Sequence, residues 1–177
     1  MKPLYGTALK RFLRDWRRQH PPLGELAVVL QSVSFPVNVG SMFRIADAVH
    51  LDRMILCGAT PTPPNPTINK VGREKHRNVT WSYVERAEDA VTDLRRDGYS
   101  VTALELVESA IPYYELRARD KIAIVVGNED HGVSRSVLDL CDSAVFVPMY
   151  GKGHSMNVHV SAAVVLAHLR NLVLTTE

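Results

Sequence analysis

Three short polar stretches hold the residues whose types and spacing suit chemistry. The first is Asn38-Val-Gly-Ser-Met-Phe-Arg44: an amide, a glycine, and then a guanidinium. Asn38 can cap the helix that follows it, and Arg44 falls two turns in. The second is Gly127-Asn-Glu-Asp-His-Gly132, continuing to Val133 and Ser134. It sets the Glu129 carboxylate between glycines that let a backbone approach a ligand closely. The third runs from Val147-Pro-Met149 to Ser155-Met-Asn157 and leads into the final helix. Singly, each has an ordinary reading: Asn38 as a cap only, Arg44 as a surface charge only. The weight lies in all three recurring, in this order, at the ends of apolar runs.

Common catalytic and nucleotide signatures are missing or broken. Gly127 and Gly132 have the glycine spacing of a phosphate-binding loop, but Val133 stands where its lysine must be. No G-x-G-x-x-G follows an apolar run. Ser155 lies in Gly153-His-Ser-Met-Asn157, which lacks the closing glycine of a nucleophile elbow. His131, His154 and His159 do not have a zinc-site spacing, so no metal is expected.

The elements that must position these stretches read as an alternation. Residues 26–30, 53–57, 79–84, 101–104, 122–126 and 144–147 are predicted strands, short and apolar. Helices are predicted over 40–49, 87–96, 134–140 and 157–172. Gly98 closes the second as its left-handed C-terminal residue, and Ser134 caps the third. The proline-rich stretch 60–69 is expected to hold no regular element. Strand and helix in turn, with continuous apolar strands, give an α/β domain with a mainly parallel sheet and helices on both faces. Ligands bind such sheets outside the carboxyl ends of the strands, which points to the loops after Leu104, Val126 and Val147.

The first twenty residues are predicted helical, with Leu9, Phe12, Leu13 and Trp16 on one stripe and Lys10, Arg14, Arg17 and Arg18 mostly off it. Pro21, Pro22 and Gly24 end this helix. The expected division is a basic N-terminal extension, 1–24, and one domain, 25–177. The chain is 177 residues long with 46% hydrophobic residues, enough for one sizeable core. A formal net charge of +2 is compatible with an RNA partner without requiring one. Cys57 and Cys141 sit among apolar residues, and no apolar run reaches a membrane span or a leader's apolar core. A cytoplasmic protein with reduced thiols is expected, with no membrane partner.

Asn-x-Gly-x-x-x-Arg after the first strand, Gly-x-Glu-x-x-Gly after a later one, and Pro-Met followed by Ser-Met-Asn before a small-residue helix resemble the three motifs of the SpoU/TrmH family. That family comprises knotted, SPOUT-type RNA ribose methyltransferases. The resemblance spans about residues 26–172. It implies a C-terminal trefoil knot, which periodicity does not predict and folds rarely form. It also implies S-adenosyl-L-methionine bound in the knot, with Leu104, Gly127, Val147, Met149 and Met156 around it. The catalytic set it implies is Arg44, Asn38, Glu129, Ser155 and Asn157. The family's arginine is often cast as a base. Arginine is not readily deprotonated, so Arg44 is read instead as orienting ribose and phosphate and stabilising the developing oxyanion.

Two departures are visible. His50 stands where relatives often have glycine at the end of the first domain helix, a place where histidine can take positive φ at a cost in strain. The basic stretch 69–77 follows the family's loop without its usual Gly-Ala pair. RNA contacts are expected from Arg14, Arg17, Arg18, Lys70, Arg73, Lys75 and Arg77, with Arg117 and Arg119. tRNA is favoured over rRNA because no separate RNA-binding domain is seen. The alternatives are an rRNA-directed enzyme, a non-catalytic RNA-binding relative, and a SPOUT enzyme acting on a base, over which the resemblance of Asn-x-Gly-x-x-x-Arg favours ribose. A homodimer is implied, with Ala162, Ala163 and Ala167 permitting close approach of the last helix to its mate.

Overall fold

Apolar strands that continue without a polar beat can be buried only between two layers, and this chain forms that sandwich. The computed structural model describes residues 2–117 and 119–173; the last four residues of the expected domain, 174–177, lie outside it. Seven strands form one sheet: β1 Glu25–Gln31, β2 Arg53–Cys57, β3 Trp81–Val84, β4 Ser100–Leu104, β5 Ile111–Pro112, β6 Lys121–Val126 and β7 Ser143–Phe146. Their order is β3-β2-β1-β6-β4-β7-β5, and every pairing is parallel.

The described residues form α-helices α1 Gly6–Gln19, α2 Pro36–Ala48, α3 Pro66–Gly72, α4 Ala87–Arg96, α5 Arg135–Leu138 and α6 Val158–Val173, of which α2 to α6 contribute to the cores on the two faces of the sheet. Leu26, Val28 and Leu30 of β1 face a core shared with Met42 and Phe43 of α2 and Val165, Leu166 and Leu169 of α6. Ala27 and Val29 face the other core, with Ala90, Val91 and Leu94 of α4 and Val137 of α5. One strand thus feeds both layers through its two-residue period. Arg170 is 9% exposed, and its guanidinium donates to the carbonyls of Val49, Gly24 and His50 and to Asp52 Oδ2. It pins α6 to the end of α2 and the entry to β1.

Several expectations change. α2 starts at Pro36, because proline suits the first helical position, so Asn38 lies inside the first turn and does not cap it. The proline-rich stretch holds a helix after all. Asn65 Oδ1 accepts from Thr67 and Ile68 N at 2.9 and 3.2 Å, and Pro66 opens α3. α3 crosses α2 at two glycines: a Cβ on Gly40 would stand 2.9 Å from that of Val71, and one on Gly72 3.1 Å from Gly40 O. α5 is four residues long, and the Ser134 side chain does not cap it. Its hydroxyl accepts from Gln31 Nε2 at 2.6 Å, while its N–H donates to Gln31 Oε1 at 3.0 Å. His50, at the position where relatives often have glycine, has φ of 51°.

Candidate active site

The carboxyl ends of β1, β4, β6 and β7 open on one edge of the sheet, and the three polar stretches meet there. β6 is central, between β1 and β4. It delivers residues 127–132 as a closed loop in which Asn128 and Gly132 exchange backbone hydrogen bonds, N to O, at 3.1 and 2.9 Å. The closure leaves no room at Gly127, where a Cβ would lie 2.0 Å from the carbonyl carbon of Gly132. Asn128 organises the loop from within: its Oδ1 accepts from Asp130 and His131 N, and its Nδ2 donates to Ser32 O and Ser34 Oγ.

That loop aims Glu129 at the start of α2. Its carboxylate accepts from Ser34 N at 2.8 Å, Phe35 N at 3.2 Å and Asn38 Nδ2 at 2.6 Å. These donors sit where a helix exposes N–H groups and the positive end of its dipole, so an anion is favoured there. Burial pushes the Glu129 carboxyl up, but the bonds from Ser34, Asn38 and Phe35 outweigh it and hold it below its ordinary value. Asn38 is 4% exposed, and its Oδ1 meets His159 Nδ1 at 2.9 Å. Glu129, Asn38 and His159 thus form a chain from β6 through α2 to α6. Burial lowers the pKa of His159.

Arg44 lies two turns into α2 and is exposed, with no hydrogen bond or ion pair among the described residues. It lines a concavity of about 420 Å³ with Ser41, Ile45, Ala48, His159, Val160 and Ala163. Asn157 immediately precedes α6, and its Oδ1 accepts from His159 N at 3.2 Å. Asn38, Glu129, Asn157 and Arg44 therefore gather around the facing ends of α2 and α6. Ser155 does not join them; it lines a second cleft of about 400 Å³.

Leu104, Val147, Met149 and Met156 line that cleft, together with Glu105, Leu106 and Phe146. Gly127 is buried beneath its own loop and is not a wall of the cleft. Glu105 fixes the floor, accepting from Leu106 N at 3.0 Å and from Val133 N at 2.9 Å. Two methionines, a leucine and a valine beside strand-end backbone suit a flat heteroaromatic ring whose edges need main-chain partners. Adenosylmethionine fits this donor set and these walls. Among the described residues, no group of His, Cys, Asp and Glu could hold a metal ion.

The expected RNA contacts divide. α1 buries none of its residues, so Arg14, Arg17 and Arg18 are exposed, with Arg14 beside Asp15 at 3.3 Å. Lys70 and Arg73 are exposed and make no ion pair among the described residues. Lys75 pairs with Asp47 at 2.7 Å and Arg77 with Glu74 at 3.1 Å. Arg117 and Arg119 line a separate hollow beside β5.

Sequence reasoning passed over His159 as one of several scattered histidines. A signal existed: three residues before the buried Ala162, His159 is a polar group on the inward face of α6. Gln31, Asn128 and Glu105 were also missed. Each acts through backbone groups distant in sequence, and no local pattern reports that.

This chain has relatives among known proteins. The model of the SpoU rRNA Methylase family matches residues 25–167. The chain is 33% identical over 157 residues to the 23S rRNA (guanosine(2553)-2'-O)-methyltransferase of Bacillus subtilis, covering 85% of this chain and 62% of that one. It is 33% identical over 159 residues to the tRNA (guanosine(18)-2'-O)-methyltransferase of Thermus thermophilus, covering 90% of this chain and 80% of that one. Among solved structures, an AdoMet-bound rRNA methyltransferase from Sinorhizobium meliloti shares the α/β fold. It superposes with a TM-score of 0.79 at 24% identity, over 88% of this chain and 59% of that one.

Proposed function

This chain belongs to the SpoU rRNA methylase family, and on that premise we propose that it transfers a methyl group from S-adenosylmethionine to a ribose 2'-hydroxyl of RNA, with tRNA as the first substrate class. The observation that carries the reading is the Glu129–Asn38 bond at 2.6 Å. It ties the loop at the end of β6 to the helix that carries Arg44. Relatives that methylate tRNA and rRNA match equally well in identity, but the chain spans more of the tRNA enzyme.

Leu104, Val147, Met149 and Met156 would hold the adenosyl group, which when bound supplies an already activated methyl. The chain's own task is to place a ribose oxygen in line and to stabilise charge developing on it. Arg44 suits both: it stays protonated, is exposed, and is uncommitted among the described residues. Glu129 and Asn38 fix the helix start that carries Arg44. Asn157 fixes the start of α6, and Ser155 stands in the adenosyl cleft.

The proposal extends to the path of the chain, a trefoil knot. In its support, α6 lies against β1, β6 and α2, while the Tyr113 ring, in the segment joining β5 to β6, meets His168 of α6 at 5.2 Å. It extends also to a homodimer through α6. There Ala167 is exposed. Residues 1–24 are proposed as a basic extension and residues from 25 onward as the methyltransferase domain, since α1 buries nothing. RNA contact is proposed at Arg14, Arg17, Arg18, Lys70 and Arg73, with Lys75 and Arg77 at their margin. No helix among the described residues is long and apolar enough to cross a membrane. A cytoplasmic setting accords with the free thiols of Cys57 and Cys141.

The test is methyl transfer from labelled adenosylmethionine to bulk tRNA and rRNA, followed by nuclease mapping. Label in one ribose of tRNA is expected, with Arg44→Ala slower by about 10²–10³-fold, the usual cost of removing one oxyanion donor. Full activity in Arg44→Ala would defeat the role given to that residue. Adenosylmethionine binding with no transfer to either RNA would defeat the substrate class.

A further inference from the structure

The arrangement around His159 settles which of its atoms carries a hydrogen. Glu129 is ionised near neutral pH and can only accept, so the atom of Asn38 that faces it at 2.6 Å is the Nδ2 donor. That turns Asn38 Oδ1, an acceptor, toward His159, so Nδ1 of the ring must donate across the 2.9 Å contact. In a neutral imidazole the second nitrogen is then an unprotonated acceptor. His159 Nε2 makes no hydrogen bond among the described residues, and His159 lines the same concavity as Arg44.

Bound adenosylmethionine would supply the methyl group, its sulfonium becoming a neutral thioether. The ribose oxygen gains a carbon bond and must release its proton. Arg44 cannot receive that proton, because a guanidinium stays charged. We propose that His159 Nε2 is the general base that takes the 2'-hydroxyl proton, while Arg44 stabilises the charge on the oxygen. This role rests on the methyl-transfer reading above and adds a catalytic residue to it.

The surroundings favour a neutral ring. Of the elements packed against α6, α2 offers this ring the Arg44 charge, and β1 and β6 offer apolar side chains. The turn at Tyr113–Glu115 meets His168 instead. Glu129 stands behind Asn38, and no carboxylate lines the concavity. Burial disfavours a second proton on the ring.

Two variants separate proton transfer from positioning. His159→Asn keeps a side-chain N–H at the δ position for Asn38 and removes the second nitrogen. His159→Gln puts an amide at the ε position and drops the δ donor. Single-turnover rates on the RNA that the wild type methylates are read against pH, with adenosylmethionine affinity measured by calorimetry. In the wild type the rate rises with pH through the acid limb and then flattens. In His159→Asn we expect unchanged adenosylmethionine affinity, a rate lower by about 10²–10⁴-fold, and no such limb. A His159→Asn protein with full rate and the same limb would overturn the proposal and leave His159 holding Asn38 only; His159→Gln would then be the slower variant. A wild type that binds adenosylmethionine but methylates no RNA would overturn the activity itself and this role with it.

Discussion

Glu129 shows how one carboxylate can act as a structural tie between two elements. Three donors converge on it, two of them backbone N–H groups just ahead of α2. Its pKa is held below the ordinary glutamate value, so the folded state favours the charged form. A group of this kind stabilises fully above its unfolded pKa, and that contribution is lost as pH falls through the lower folded value. Glu129→Gln keeps the shape but leaves a weaker acceptor, and its NH₂ must face a donor. It should cost about 1–3 kcal/mol at neutral pH. Urea unfolding of wild type and variant should show this gap at pH 7 and its narrowing as the solution is acidified. Equal stability of the two at pH 7 would remove the structural half of the assignment.

Among the elements, the turn out of β6 is the most tightly specified. Gly127 allows residues 128–132 to fold back on the strand end, and Gly132 takes φ of 65° against the Glu105 carboxylate. A methyl on Gly127 would meet backbone on the opposite arm of the loop, where no flexible side chain can yield. Gly127→Ala should therefore destabilise by about 1–3 kcal/mol, the usual range for overpacking. It should also shift Glu129 away from the start of α2. Thermal unfolding reads the first effect. Loss of methyl transfer with adenosylmethionine affinity retained would read the second. A variant normal in both would show that the loop can open without consequence.

For the whole molecule, the two cores account for the sheet and helices α2 to α6, while α1 contributes nothing to either. Its Leu9, Phe12, Leu13 and Trp16 are 39–53% exposed, and its basic residues face solvent. Deleting residues 2–20 should leave the melting temperature unchanged and weaken RNA binding. It should also lower the slope of log affinity against log salt by roughly 0.7–0.9 for each phosphate that the shortened chain no longer neutralises. A fall in melting temperature would instead mean that the apolar stripe of α1 covers another surface in the assembled protein.

The sequence by itself determined the layered α/β class, because uninterrupted apolar strands admit no other burial. It also directed attention to the strand ends, where polar residues and glycines are concentrated. It foresaw the helix stop at Gly98, a local backbone matter. Only the tertiary structure decided the sheet order, which depends on pairing between residues far apart in the chain. It alone turned a proline-rich loop into α3, where one asparagine cap and packing against Gly40 outweigh poor propensity. It moved Asn38 from a capping role to a bridge, placed Ser155 apart from Arg44, and committed Lys75 to Asp47. His159 was the largest omission. A histidine in a helix looks ordinary until an amide and a carboxylate from two other elements fix its tautomer, and that information resides in no single segment.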